Sequence, residues 1–141
     1  MDFQDCVKFA NENPICYLAT AEGDQPRVRA MGMWFADETG FYFNTETNKA
    51  LAKQLNDNQK VEIIFHASKG GKVMRVTGKV ELIDDMAIRA RCLNDRPFLK
   101  DFGIKSPEDP LLLVFGIRTG EAFFWTMADN MKEADLPRVK F

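Results

Sequence analysis

The sequence predicts a mainly β protein with peripheral helices, an α+β fold built on a small antiparallel β-barrel of six to seven strands. Apolar segments of strand length recur along the chain, and turn residues separate them. Apolar residues at helical spacing occur in only a few short stretches. A length of 141 residues suits one core, so we expect a single domain over residues 1–141.

The beginning of the chain predicts a helix followed by a β-hairpin. Residues 2–12 carry an apolar stripe at helical spacing, and Asn13 and Pro14 end that helix. Residues 15–20 are an apolar run without alternation, so we expect a strand that is buried on both faces. Turn residues at 22–26 connect it to the next strand.

The second predicted strand, residues 27–36, has two chemically different faces. Side chains alternate along a strand, so Arg27 and Arg29 point to one face while Ala30 and Gly32 lie on the other. Gly32 has two interpretations that the sequence leaves open. It can let a flat ligand ring approach the backbone, or it can let a barrel strand bend or bulge.

A third strand, residues 41–44, leads into a helix predicted over residues 47–56. The helix opens with Thr47, Asn48 and Lys49. Free backbone N–H groups and partial positive charge at a helix start favour an anion, so these residues and the nearby arginines predict a phosphate site. The alternative is that the hydroxyl and the amide only cap the helix and that the basic side chains are only solvated.

The second half of the chain predicts the remaining strands and one helix. The predicted elements are strands at 61–66, 73–83, 111–118 and 122–127, a helix at 85–93, an irregular connector at 94–110 and a turn at 119–120. Three consecutive aromatic residues, Phe123 to Trp125, place bulk on both faces of the last strand. One of these faces is therefore expected to meet a cofactor ring or a partner. The tail from Ala128 is polar and is expected to be loosely held.

Composition and charge exclude several classes of function. The 19 basic and 21 acidic residues give a net charge of −2, so we expect no nucleic-acid partner and no attraction to an anionic membrane. No apolar run approaches the roughly 20 residues of a membrane-spanning helix. The opening residues lack an apolar signal core, so a cytoplasmic location is expected.

Motifs for metal binding and for hydrolytic chemistry are not found. Cys6, Cys16 and Cys92 are widely spaced and form no C-x-x-C pair, so we expect buried reduced thiols and no metal site. His66, the only histidine, ends a strand without a second titratable group beside it, and we interpret it as structural. No dinucleotide-binding glycine motif, nucleophile elbow or paired-carboxylate motif stands out, and no catalytic residue is assigned.

The order of several short motifs resembles the FMN-binding split-barrel family related to pyridoxamine 5'-phosphate oxidase. These motifs are Leu18-Ala19-Thr20, Pro26-Arg27-Val28-Arg29-Ala30-Met31, Gly40-Phe41-Tyr42-Phe43-Asn44-Thr45 and Lys49 with Gln54-Leu55. The strand at 73–82, the segment at 105–107 and the aromatic run at 123–125 also fit. The resemblance therefore covers nearly the whole chain.

The resemblance implies a homodimeric split β-barrel that holds FMN in two clefts at the subunit interface and exchanges electrons with a small-molecule donor and acceptor. One strand would line the flavin and reach its phosphate, the next strand would lie beside the flavin, and the helix start would bind the phosphate. The implied cofactor-binding residues, in that order, are Arg27, Val28, Arg29, Ala30 and Met31, then Tyr42, Phe43 and Asn44, then Thr47, Asn48 and Lys49, with Trp125 added from the aromatic run.

Two departures from that family argue against vitamin B6 oxidation. Residues 136–141 do not match the basic segment with which the oxidases proper grip their substrate, and Asn48 stands where they have arginine. The chain is more similar to the branch that includes nitroimidazole-resistance reductases. We therefore expect an FMN-dependent oxidoreductase whose substrate is not assigned. The alternatives are a flavin carrier or sensor without turnover, and a barrel that binds haem, a deazaflavin or only a partner protein.

Overall fold

The structure is a computed structural model that describes residues 1–141. Its helices are α1 (Phe3–Glu12), α2 (Ala50–Asp57) and α3 (Met86–Asp95), and its strands are β1 (Ile15–Glu22), β2 (Gln25–Gly32), β3 (Phe35–Asp37), β4 (Gly40–Glu46), β5 (Lys60–His66), β6 (Val73–Ile83), β7 (Leu112–Trp125) and β8 (Val139–Lys140). A 3-10 helix, Pro97–Phe102, follows α3. The predicted class, antiparallel β with peripheral helices, is confirmed. None of the helices combines the length and the hydropathy that crossing a bilayer requires.

All eight strands belong to one antiparallel sheet that closes on itself as a split barrel. The strand order is β2-β1-β5-β6-β7-β4-β3, and β8 is added to β7. The two end strands, β2 and β3, are consecutive in sequence. The Met33 N–H donates to the Pro14 carbonyl (2.8 Å) beside β1, and the Trp34 N–H donates to the Tyr42 carbonyl (2.9 Å) in β4. The chain thus changes partner strands within two residues, and the single strand predicted over residues 27–36 is wrong beyond Gly32.

Aromatic side chains fill the barrel interior, and α1 closes one end of it. Phe41, Phe43 and Phe115 are fully buried in the main apolar cluster, which also receives the apolar stripe of α1. Asn11 fixes α1 to the barrel, because its amide exchanges two 2.9 Å hydrogen bonds with the backbone of Ala36. A second cluster packs α3 and the 3-10 helix against β4 and β7, and it includes Tyr42, Ile83, Cys92, Leu93, Leu99 and Ile104.

The outer face of β1 is exposed, so the prediction of a strand buried on both faces is wrong for this chain. Cys16 and Leu18 are fully buried, whereas Ile15 and Tyr17 are 61% and 46% exposed. The pattern along the strand is alternating burial. The sequence does not show this alternation, because the exposed residues Ile15 and Tyr17 are as apolar as the buried ones.

The three cysteines are buried, as predicted. Burial raises the pKa of Cys6 to about 11, that of Cys16 to about 12 and that of Cys92 to about 11. The thiolate is the reactive form of cysteine, so these side chains are expected to stay as unreactive thiols at neutral pH.

Strand β7 is continuous, and the turn predicted at residues 119–120 is wrong. Gly120 pairs with Gly78 of β6, beside a register shift in that strand. A Cβ atom at Gly120 would collide with the Thr77 carbonyl oxygen and lie 3.0 Å from the Phe141 ring. The glycine is therefore required for close backbone approach between two strands and not for a turn.

Gly120→Ala is expected to lower the free energy of unfolding by about 1–3 kcal/mol, the usual cost of overpacking a well-packed site. The matched control is Gly32→Ala, because a Cβ there would meet its nearest atom at 3.7 Å. Urea unfolding of both variants measures the difference. Equal losses of stability in the two variants would contradict the assigned role of Gly120.

The last residues of the chain are held in place, contrary to the loosely held tail that was predicted. Strand β8 pairs with β7, and the N–H and carbonyl groups of Phe141 bond to those of Gly120 at 3.1 Å. The Phe141 ring stacks on Phe3 with centroids 4.6 Å apart. An apolar residue at the end of a polar tail was the signal for this docking.

Candidate functional site

A cavity of about 300 Å³ lies where β2, β4, the start of α2 and the 3-10 helix meet. We call it the Lys49 cavity. Its lining residues are Ala30, Met31, Gly32, Asn44, Thr45, Glu46, Lys49, Arg96, Phe98, Leu99 and Phe102. Four of the residues predicted to bind a cofactor, Ala30, Met31, Asn44 and Lys49, are therefore brought together in one place by three different elements.

Helix α2 begins at Ala50, so the prediction that Thr47 opens the helix is wrong. The Thr47 N–H donates to the Leu111 carbonyl and its hydroxyl donates to the Pro110 carbonyl, each at 2.9 Å. These bonds extend the pairing of β4 with β7 by one residue and occupy the hydroxyl that was expected to cap the helix. Asn48 is exposed in the following turn and does not line the cavity.

The start of α2 offers unsatisfied donors. Lys49 is the N-cap residue, and its side chain makes no capping hydrogen bond. The N–H groups of Ala50 and Leu51 have no backbone acceptor, and the helix dipole makes this end partly positive. The Lys49 Nζ atom lies 3.5 Å from a carboxylate oxygen of Glu46, and both residues line the cavity.

Arg96 supplies the second cation of the Lys49 cavity, and it was not predicted. Its guanidinium donates to Asn44 Oδ1 at 2.8 Å and to the Gly32 carbonyl at 3.4 Å. It pairs with no carboxylate, whereas five other arginines do. Burial lowers the pKa of Arg96 because water is withdrawn from the charged form. A half-buried guanidinium without a counter-charge favours an anionic ligand.

Arg27 and Arg29 lie on the same face of β2, as predicted, but neither lines the Lys49 cavity. Arg27 pairs with Glu22 at 2.9 Å, and both side chains are about half exposed. Arg29 donates to Thr20 Oγ1 at 2.7 Å and to Gln54 Oε1 at 2.5 Å, and burial lowers its pKa. Because Gln54 belongs to α2, these bonds tie the helix to the hairpin. Arg29 is thus placed to hold α2 in position beside the cavity.

The other residues that were predicted to bind the cofactor lie outside the Lys49 cavity. Tyr42 is 3% exposed, and its hydroxyl accepts from Arg118 at 3.0 Å. Phe43 is fully buried in the barrel interior. Val28 is 70% exposed on the outer face of the hairpin. Trp125 lines a separate cavity of about 600 Å³, which also contains His66 and Ile64.

Sequence reasoning missed Arg96, Phe98 and Phe102 because residues 94–110 read as an irregular connector. Proline disfavours helical conformation in the preceding residue, and Arg96, before Pro97, indeed has φ −127° and ψ 68° and ends α3. The two phenylalanines are four residues apart, and side chains at that spacing meet on a helical turn. An arginine at a helix end followed by this aromatic pair was the available signal.

Comparison with known proteins agrees with this architecture. A family model described as pyridoxamine 5'-phosphate oxidase matches residues 3–126. A NimC/NimA family protein from Clostridium acetobutylicum has 30% sequence identity and a TM-score of 0.80, over 98% of this chain and 92% of that chain. A pyridoxamine 5'-phosphate oxidase-related, FMN-binding protein from Nostoc punctiforme PCC 73102 has 16% identity and a TM-score of 0.67, over 98% and 95% of the two chains, and shows the shared fold.

A curated relative matches only part of the chain. The pyridoxine/pyridoxamine 5'-phosphate oxidase of Wolbachia pipientis wMel is 32% identical over 69 residues, which are 48% of this chain and 32% of that protein. This chain therefore matches about a third of the length of that enzyme. The family model and the Clostridium structure extend over most of the chain, and the chain belongs to the pyridoxamine 5'-phosphate oxidase family.

Proposed function

We propose that this chain is an FMN-binding flavoprotein and an oxidoreductase of a small molecule, and that the Lys49 cavity holds the phosphate end of the cofactor. The observation that carries this proposal is the pair of cations that line one cavity: Lys49 at the uncapped start of α2, and the carboxylate-free Arg96 at the end of α3. Charge-assisted hydrogen bonds and helix N-termini both favour phosphate. Bound FMN would supply the electron-transfer chemistry, and the protein would bind and orient it.

The size of the cavity suggests that one chain forms only part of the site. Its volume of about 300 Å³ is at the small end of the range for ligand sites. Ala30 and Gly32, on the cavity wall, belong to the same strand as Val28, whose side chain is 70% exposed. The site therefore adjoins an uncovered apolar surface.

We infer a homodimer from that surface, which consists of Ile15, Tyr17 and Val28 and which we call the hairpin face. Their exposed fractions are 61%, 46% and 70%, and the β1–β2 pairing places them on one side of the hairpin. Contiguous exposed apolar residues mark interaction sites. A second copy seated there would cover the hairpin face and enclose the adjoining cavity. Trp125 lines another cavity of its own chain. It would therefore contact a flavin only if that flavin were bound by the partner chain.

A flavin carrier or sensor is the second candidate function. No histidine, cysteine or tyrosine lines the Lys49 cavity, and Glu46 is its only carboxylate. General acid–base catalysis uses such groups, so the chain offers few residues for proton transfer there. Oxidation of vitamin B6 is disfavoured because Asn48 stands where the oxidases proper have arginine.

The visible spectrum of the purified protein, followed by anaerobic addition of NADH or NADPH, tests the proposal. We expect a flavin spectrum that bleaches when the reduced nicotinamide is added. A flavin spectrum that does not bleach with either donor would favour the carrier. A haem or deazaflavin spectrum, or a colourless protein that takes up no added FMN, would contradict the proposal.

A further inference from the structure

Residues 127–138 join β7 to β8 without packing into either apolar cluster, and we call them the strap. No residue of the strap is buried, and only Asp129 and Leu136 are partly buried. Its backbone N–H groups donate to carbonyl groups three positions earlier, as from Asn130 to Met127 at 3.1 Å. A segment with few buried contacts and only local hydrogen bonds opens at low cost in free energy.

Both ends of the strap continue into fixed structure. Before it, the N–H and hydroxyl groups of Thr126 donate to the Asp129 carboxylate at 2.9 and 3.0 Å. After it, β8 pairs with β7, and the backbone of Phe141 bonds to that of Gly120. The strap can therefore move between two fixed points while β8 stays in the sheet.

Two ion pairs hold the middle of the strap against the barrel. Arg75 of β6 pairs with Glu133 of the strap at 2.7 Å, and Arg138 of the strap pairs with Glu121 of β7 at 3.5 Å. The Arg138 guanidinium also lies 3.9 Å from the centroid of the Phe123 ring. The four charged side chains are between 30% and 50% exposed, so water and salt screen both pairs and each contributes little stability.

Met131 introduces backbone strain into the strap. It is the only non-glycine residue with a positive φ, 74°. Its side chain is 95% exposed, so no packing of that side chain compensates for the conformation. A left-handed backbone is unfavourable for a residue with a long side chain. The closed strap therefore stores strain that opening would release.

The strap also forms one wall of the cavity of about 600 Å³ that contains Trp125, which we call the Trp125 cavity. The strap supplies Met127, Asn130 and Glu133, the barrel supplies Ile64, His66, Val73, Arg75 and Trp125, and the β5–β6 turn supplies Gly70 and Gly71. Arg75 and Glu133 thus both line the cavity and pair with each other. The contact that holds the strap closed is part of the cavity wall.

We propose that the strap opens and closes the Trp125 cavity, and that the Arg75–Glu133 pair is its latch. When the latch breaks, the strap moves away from β6 and small molecules reach the indole ring of Trp125. The strap does not depend on the proposed flavin site, because its contacts lie within one chain and no residue of the Lys49 cavity takes part. A chain that binds no flavin would still have this device.

Acrylamide quenching of Trp125 fluorescence tests the latch. The chain has two tryptophans, so a Trp34→Phe background leaves Trp125 as the only emitter, and full-length proteins are compared at equal flavin content. Glu133→Gln removes the latch, and we expect the quenching constant to rise about twofold, within the effect of losing one exposed ion pair.

Salt is expected to open the strap in the same way. Raising NaCl to about 0.5 M screens exposed ion pairs, so the quenching constant of the background protein should rise and that of Glu133→Gln should rise less. The matched control is Asp135→Asn, which removes an exposed strap carboxylate outside the two ion pairs and should leave the constant unchanged. No rise in Glu133→Gln, or an equal rise in Asp135→Asn, would overturn the latch.

The strain at Met131 gives a test in the opposite direction. Asparagine adopts the left-handed conformation more readily than methionine, so Met131→Asn is expected to favour the closed strap and to lower the quenching constant of Trp125. A higher constant in Met131→Asn would contradict the proposal that the closed state carries strain at this residue.

Discussion

Lys49→Ala is expected to weaken FMN binding about ten- to a hundredfold. A hydrogen bond to a charged group contributes about 1.5–3 kcal/mol, and Lys49 is one of only two cations in the cavity. The substitution also leaves Glu46, which is 15% exposed, without its cationic neighbour and free to repel the phosphate. Quenching of FMN fluorescence at fixed ionic strength measures the affinity, since salt screens such contacts.

Lys53→Ala is the matched control, because Lys53 lies one turn further along the same helix. Its Nζ atom is 2.6 Å from Asp57, and its side chain is 78% exposed. We expect its FMN affinity to stay within twofold of the unmodified protein. Glu46→Gln should strengthen FMN binding, because it removes the only carboxylate of the cavity. Equal losses in the two lysine variants would show that overall charge, and not the cavity, determines binding.

If the chain forms the proposed dimer, Val28→Glu is expected to convert it to a monomer and to weaken FMN binding at the same time. The substitution places an unpaired carboxylate on the hairpin face, which the proposed interface would bury. Burying an unpaired charge is strongly unfavourable. Light scattering coupled to size exclusion should show a fall from twice 16.1 kDa to 16.1 kDa.

Met131→Glu is the control for that substitution. Met131 is 95% exposed in the segment between β7 and β8, so the added charge stays in water and the dimer should persist. A Val28→Glu protein that remains dimeric would locate the interface elsewhere. If the unmodified protein is a monomer and still binds FMN tightly, the proposal that two chains together form the site is contradicted.

Local patterns predicted strands such as β5, in which buried residues alternate with less buried ones. Strand β6 was predicted at its observed bounds, residues 73–83, since its alternation is regular. Strand β7 was divided wrongly because Gly120 has the local signature of a turn. Its actual role depends on its pairing with Gly78 in β6. These two residues are far apart in sequence, so a local pattern cannot show that they pair.

The candidate site was predicted where it depends on one strand or one helix start. Ala30, Met31, Asn44 and Lys49 line the cavity, and each belongs to a motif that the sequence displays. Arg96 was missed because its place beside Asn44 arises from packing of the 3-10 helix against the barrel, which is a tertiary feature.

Two residues that were predicted to bind the cofactor, Tyr42 and Phe43, are buried instead, and tertiary packing is again the reason. Tyr42 and Phe43 belong to two different core clusters on opposite faces of β4. Both faces of that strand are covered, one by the barrel interior and one by α3 and the 3-10 helix. Strand periodicity shows which residues share a face, but the closing of the barrel decides what covers each face.

The comparison of FMN with riboflavin tests the central claim most directly, because the two ligands differ only in the phosphate. The claim is that Lys49, Arg96 and the open start of α2 bind that phosphate. Titration of the unmodified protein is expected to show FMN binding at least a hundredfold more tightly than riboflavin, with most of that preference lost in Lys49→Ala. Equal affinity for the two ligands in the unmodified protein would contradict the account.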